Sequence, residues 1–66
     1  MNREKWKVAK KATEEILHEF GIFNERDWDN QGAEDGAALY ENLKAGVMEK
    51  YDLDDDGLEE ILDDIL

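Results

Sequence analysis

The chain has 66 residues with no Cys, Pro or Ser, so it reads as one small domain with no disulfide, no thiolate metal site and no Ser/Pro-rich linker. A net charge of −11 on a chain that is 41% apolar describes a folded, strongly acidic domain, one that repels free nucleic acid and anionic membrane and attracts cations and basic protein surfaces. No apolar run approaches the ~18 residues of a membrane span, and none follows the basic start as a secretory signal would require, so a cytoplasmic setting is expected.

Residues 2–20 are predicted to form an amphipathic helix. At 100° per residue, Trp6, Ala9, Thr13, Ile16, Leu17 and Phe20 share one stripe, while Arg3, Lys7, Lys10 and Lys11 share another face. Gly21 stands where a left-handed C-terminal cap wants glycine. Asn24 is predicted to cap a short turn over residues 25–30, with Phe23 and Trp28 at the two positions of a hydrophobic staple. Asn30-Gln31-Gly32 then breaks the helix.

A second long helix is expected over residues 34–51, with Leu39, Tyr40, Leu43, Val47 and Tyr51 on its apolar face. Gly46 lies at the edge of that face, where it would admit a close helix crossing. The third helix, residues 55–66, has the cleanest period: Leu58, Ile61, Leu62, Ile65 and Leu66 repeat at i, i+3, i+4, i+7 and i+8. Its N-cap is Asp54 or Asp56. The expected fold class is therefore all-α, a compact three-helix domain spanning residues 1–66 with a short extra turn between helices one and two.

Charge is unevenly placed. Residues 1–12 carry five bases against one acid, and residues 13–66 carry three bases against 18 acids. Residues 52–66 hold eight acids and no base: Asp52, Asp54, Asp55, Asp56, Glu59, Glu60, Asp63 and Asp64. Asp63 and Asp64 sit at the negative end of a helix dipole, and Glu59/Asp63 and Glu60/Asp64 are like-charged i,i+4 pairs. Stability alone does not choose that arrangement, so these residues need positive charge nearby. Helix one, a metal ion or a basic partner would each supply it.

Within that segment, residues 52–63 resemble the calcium loop of EF-hand and dockerin modules. Acids stand at loop positions 1, 3, 5, 9 and 12, namely Asp52, Asp54, Asp56, Glu60 and Asp63, with Gly57 at position 6. The resemblance implies calcium as a ligand held by those five residues. It covers 12 of the 66 residues, and it departs from the family at position 8, where Glu59 replaces an apolar residue. The competing reading has Asp54, Asp55 and Asp56 cap and charge-stabilise the start of helix three, with Leu53 and Leu58 as a staple.

Catalysis has little to work with. Ser and Cys are absent, Thr13 lies on an apolar stripe, and His18 stands alone on a polar face, so no enzyme is expected. The first functional expectation is an acidic protein-binding module: an inhibitor or regulator docking on a basic, nucleic-acid-binding surface of a partner. In size and charge such a chain resembles small phage-type inhibitors and DNA mimics. Its docking residues would be the eight acids of 52–66, joined by Trp28 if that ring stands exposed as an anchor instead of joining the core. A third reading is a structural subunit, a homodimer in which basic helix one of one copy meets acidic helix three of another.

Overall fold

A computed structural model describes residues 3–66. Every regular element among them is helical. Helix α1 runs Arg3–Glu19, α2 Glu25–Asp29 and α3 Ala33–Leu43. The last continues through a π-helical stretch, Lys44–Met48, and a final α-turn, Glu49–Tyr51. Helix α4 is Asp55–Ile65. The architecture is all-α, three long helices with the short α2 between the first two, and α1 packs against both α3 and α4.

Local chemistry sets most of the boundaries. Gly21 adopts φ +75°. The Gly21 amide donates to the His18 carbonyl at 3.0 Å and the Ile22 amide donates to the Leu17 carbonyl at 2.8 Å. These are the two bonds of a Schellman motif, and Ile22 and Leu17, the apolar pair that accompanies it, are both buried. Ile22 is thus a core residue that helical periodicity does not reveal, because it lies beyond the helix. The legible signal is glycine followed at once by an apolar residue.

Asn24 caps α2 by accepting from the Asp27 amide at 2.9 Å, and Asp27 reaches back to accept from the Phe23 amide at 3.0 Å. The expected Phe23–Trp28 staple is corrected: Phe23 is 63% exposed. Its ring stacks on His18 instead, with centroids 4.8 Å apart. The Asp27 carboxylate holds the entry geometry through the backbone, so the turn does not need the apolar contact.

Of the two candidate caps for α4, the structure uses Asp54, which accepts from the Gly57 amide at 2.8 Å. Leu53 packs against the core of which Leu58 is a buried member.

The core is thin. Helix α1 contributes Ala9 and Leu17, α3 and its π-helical extension contribute Leu39, Leu43 and Val47, and α4 contributes Leu58 and Ile61. Thr13 is buried among them with its hydroxyl donating to the Ala9 carbonyl at 2.7 Å, which satisfies the one fully buried polar side chain among the described residues of that stripe. Trp6, Ile16 and Phe20 close the edges and are only half-buried. Gly46 lies in the π-helical stretch, where Ile16 Cδ1 comes within 2.9 Å of the place a Cβ would occupy. The close crossing expected at this glycine is real, and its partner is α1.

The extension of α3 ends on Asp52, at φ +55° the one non-glycine residue in the left-handed region among those described. The Leu53 amide closes the turn on the Met48 carbonyl at 2.8 Å. An aspartate tolerates this conformation at a cost that glycine does not bear. Asp52→Gly is therefore expected to raise stability by roughly 0.5–1 kcal/mol in chemical denaturation. A loss of stability would show that the Asp52 carboxylate has a structural partner.

Candidate acidic docking site

Helix α4 carries two rows of carboxylates. Residues four apart stand about 6 Å from one another along a helix face. Asp55, Glu59 and Asp63 make one such row, and Asp56, Glu60 and Asp64 make the other. All six side chains are exposed, and the rows flank the apolar stripe of Leu58, Ile61 and Ile65. Because α4 is laid on the core by that stripe, its two flanks meet different neighbours.

The second row faces α1. Asp64 forms an ion pair with Lys10, 54 positions away in the chain. The Lys10 ammonium also lies 5.4 Å from the Trp6 ring centroid. The hydrogen bond to Asp64 raises the Lys10 pKa above its ordinary value; desolvation opposes it, and the negative charges of Asp64 and Glu14 add to the rise. A raised lysine pKa stabilises the fold fully below the unfolded-state value, and that contribution is lost as pH rises through the folded value. An exposed pair of this kind adds little to stability. What it does is bring the basic stripe of α1 to the acidic C-terminal helix within one chain. Asp56 and Glu60 line a surface depression of about 580 Å³ together with Asp52, Asp54 and Lys5. This flank of α4 therefore meets cations from its own fold.

The first row faces away from α1, toward α2. Asp55 accepts a hydrogen bond from the Tyr40 hydroxyl at 2.9 Å. Tyr40 is 46% exposed, although periodicity placed it on the core face of α3; its hydroxyl reaches across to the start of α4. That bond, and the negative charge of Asp55, raise the Tyr40 pKa above the ordinary tyrosine value. The folded state holds the phenolic proton more tightly, so this contribution is present below the unfolded-state pKa and is lost as pH rises through the folded one. In an alkaline titration of tyrosinate absorbance, Tyr40 is expected to ionise above an ordinary tyrosine. Asp55→Ala should return it to the ordinary range, and an unmoved midpoint would refute the pairing.

Two depressions flank this row. One, of about 360 Å³, lies between Trp28, Tyr40, Leu43, Leu58 and Leu62, with Asp55 and Glu59 at its rim. The other, of about 740 Å³, is bordered by Glu25, Asp29, Glu59 and Asp63. Trp28, Glu59 and Leu62 line both, so the two meet as one groove between α2 and α4.

Trp28 is not the protruding anchor that its acidic neighbours suggested. It is half-buried, packed against the core, and forms a wall of this groove. A single turn of α2 puts its flanking Asp29 in solvent while turning the indole inward. The periodicity of a five-residue helix is too short to show this in sequence. Glu25, Asp29, Tyr40 and Leu62 are groove residues that sequence reasoning did not single out for a site.

The backbone of residues 52–63 does not take the course of an open loop. Helix α4 begins at Asp55, so loop positions 4 to 12 lie on a helix surface and do not wrap around an ion. The Asp54 carboxylate is engaged with the Gly57 amide, and Asp52 serves as a left-handed helix end. Among the described residues no group of three or more carboxylates or imidazoles stands close enough to hold a metal ion. The physical reason is that Asp54 is a strong helix-starting residue, and its capping bond to the Gly57 amide begins a helix where a loop would have to stay open.

No helix is long and apolar enough to cross a membrane among the described residues. Compared with known proteins, the chain matches no family model, no curated protein and no solved structure.

Proposed function

We propose that the chain is an acidic protein-binding module, an inhibitor or regulator that docks on a basic surface of a partner, of the kind nucleic-acid-handling proteins present. The observation that carries this reading is the row Asp55–Glu59–Asp63: exposed like charges four residues apart, faced across a groove by Glu25 and Asp29, with no lysine, arginine or histidine among the groove's lining. Such a row is a cost to the isolated chain and a gain to a complex. Carboxylates presented where phosphates would sit give fast, salt-sensitive association and compete with nucleic acid for the same cations.

The test begins with crosslinking in the native host to identify the partner, followed by affinity measurement at low and high salt. Affinity is expected to fall about tenfold or more between the two, and nucleic acid should compete. An affinity that stays flat with salt overturns the reading.

A further inference from the structure

The two flanks of α4 carry the same number of carboxylates, yet they are not equivalent. The flank toward α1 meets Lys5 and Lys10. The flank toward α2 borders an apolar-walled groove whose rim is Asp55, Glu59, Asp63, Glu25 and Asp29. We infer that this groove, and not the whole acidic surface, is the docking site, and that its occupant is a basic amphipathic segment of a partner protein. That segment would seat a large apolar side chain between Trp28 and Leu62 and set lysines or arginines against the rim. The inference rests on the protein-binding reading above and says where on the molecule binding occurs and what chemistry the partner's segment has.

Three observations support it. The first is charge complementarity: five acids surround the groove and no base lines it among the described residues. A cation arriving here meets a rim on which no base stands among the described lining residues, whereas one arriving on the other flank competes with Lys5 and Lys10 of α1. The second is the apolar wall. Leucines and a tryptophan ring at the centre of a polar rim are the arrangement in which a few central contacts carry most of the binding energy, and the desolvated centre strengthens the surrounding charge pairs. The third is Gln31, which lines the same groove beside Gly36. Its Oε1 is buried without a hydrogen-bond partner among the described residues, and a donor from a docked segment would remove that cost.

A second copy of this chain is the weaker occupant. Its basic helix has Lys10 engaged with Asp64, and the apolar residue exposed on that helix, Val8, has Glu4 and Glu15 as well as Lys5 and Lys11 on its own face, a mixed surface and not a basic one.

The experiment uses the full chain and a synthetic amphipathic helical peptide with lysine on one face and leucine on the other. Two control ligands accompany it: the same peptide with its leucines replaced by alanine, and polylysine. Two double variants change the net charge equally: Glu59→Gln with Asp63→Asn on the groove flank, and Asp56→Asn with Glu60→Gln on the α1 flank. All four residues are exposed, and circular dichroism checks that both variants fold. Calorimetry is expected to show that the groove-flank variant binds the leucine peptide about tenfold or more weakly, and the α1-flank variant nearly as well as the parent. The alanine peptide and polylysine should bind more weakly than the leucine peptide. Amide shifts in NMR should concentrate on α2 and the Asp55–Asp63 row.

Equal losses in the two variants, or polylysine binding as tightly as the leucine peptide, would overturn the groove while leaving the acidic-module reading in place. Binding that depends on leucine but not on salt would overturn both the rim and the acidic module. No binding by any of the three ligands would overturn both proposals. Sedimentation showing a dimer that the leucine peptide dissociates would assign the groove to a second copy and overturn the proposed occupant.

Discussion

Leu17→Ala is expected to leave the protein largely unfolded at room temperature. Leu17 is 0% exposed and lies in the last turn of α1, between Thr13 and the turn at Gly21. Truncating a fully buried leucine costs about 2–5 kcal/mol, the sum of lost transfer energy and the cavity left behind. A single core in a domain this small rarely supplies more than roughly 3–5 kcal/mol of net stability. The substitution also strips the Schellman motif at Gly21 of its apolar partner, so Ile22 loses the contact that seats it. Urea denaturation followed by circular dichroism measures this directly. A variant that keeps most of the parent's stability would mean that the core is held by more than the residues buried in one chain, as in an obligate dimer.

The second large effect is at Gly46. Gly46→Leu is expected to destabilise the fold by about 1–3 kcal/mol, because a side chain here enters space that Ile16 already fills. Gly46→Ala is the more discriminating substitution. Glycine in a helix interior costs about 1 kcal/mol relative to alanine, so Ala gains that much in propensity. It then loses much of the gain to its contact with Ile16 Cδ1, at 2.9 Å too close for any real Cβ. The expected net is close to zero. Ile16→Val removes the very methyl group in the way, so Gly46→Ala should stabilise a chain that already carries Ile16→Val by up to about 1 kcal/mol. A double-mutant cycle reads this coupling as a difference of differences. Additive effects would show that α1 and the π-helical stretch do not touch at this glycine.

The placement of Asp52 and Asp54 bears on how a carboxylate-rich segment should be read. Spacing alone favours a cation loop, because acids at alternating positions around a glycine match the geometry of oxygen ligands. The same acids are also the residues that begin helices. In this chain helix initiation prevails: Asp54 caps, Asp55 enters the first turn and bonds Tyr40, and Asp52 closes the preceding helix. The difference lies in the backbone of residues 55–63. An ion-binding loop would hold it open, and Leu58, Ile61 and Leu62 draw it into a helix by burying their stripe on the core.

What the chain determined locally is the course of its helices. The stripe of α1, the Gly21 cap, the Asn24 cap, the break at Asn30-Gln31-Gly32 and the period of α4 are all set by neighbours within a turn or two, through hydrogen bonds and side-chain spacings that recur wherever these residues occur in this order. The eight acids of residues 52–66 are equally plain in sequence, as is the need for positive charge near them.

Tertiary structure alone decided how that need is divided. Lys10 and Asp64 are 54 residues apart, and Tyr40 and Asp55 are 15 apart. Pairings at such separations depend on the rotation of α4 about its axis, which the core sets by burying Leu58 and Ile61 against α1 and α3. That rotation turns Asp56, Glu60 and Asp64 toward the lysines of α1, and Asp55, Glu59 and Asp63 toward Trp28 and the acids of α2. Hydrophobic periodicity specifies which face of a helix is buried, but not which neighbour each flank of that face will meet.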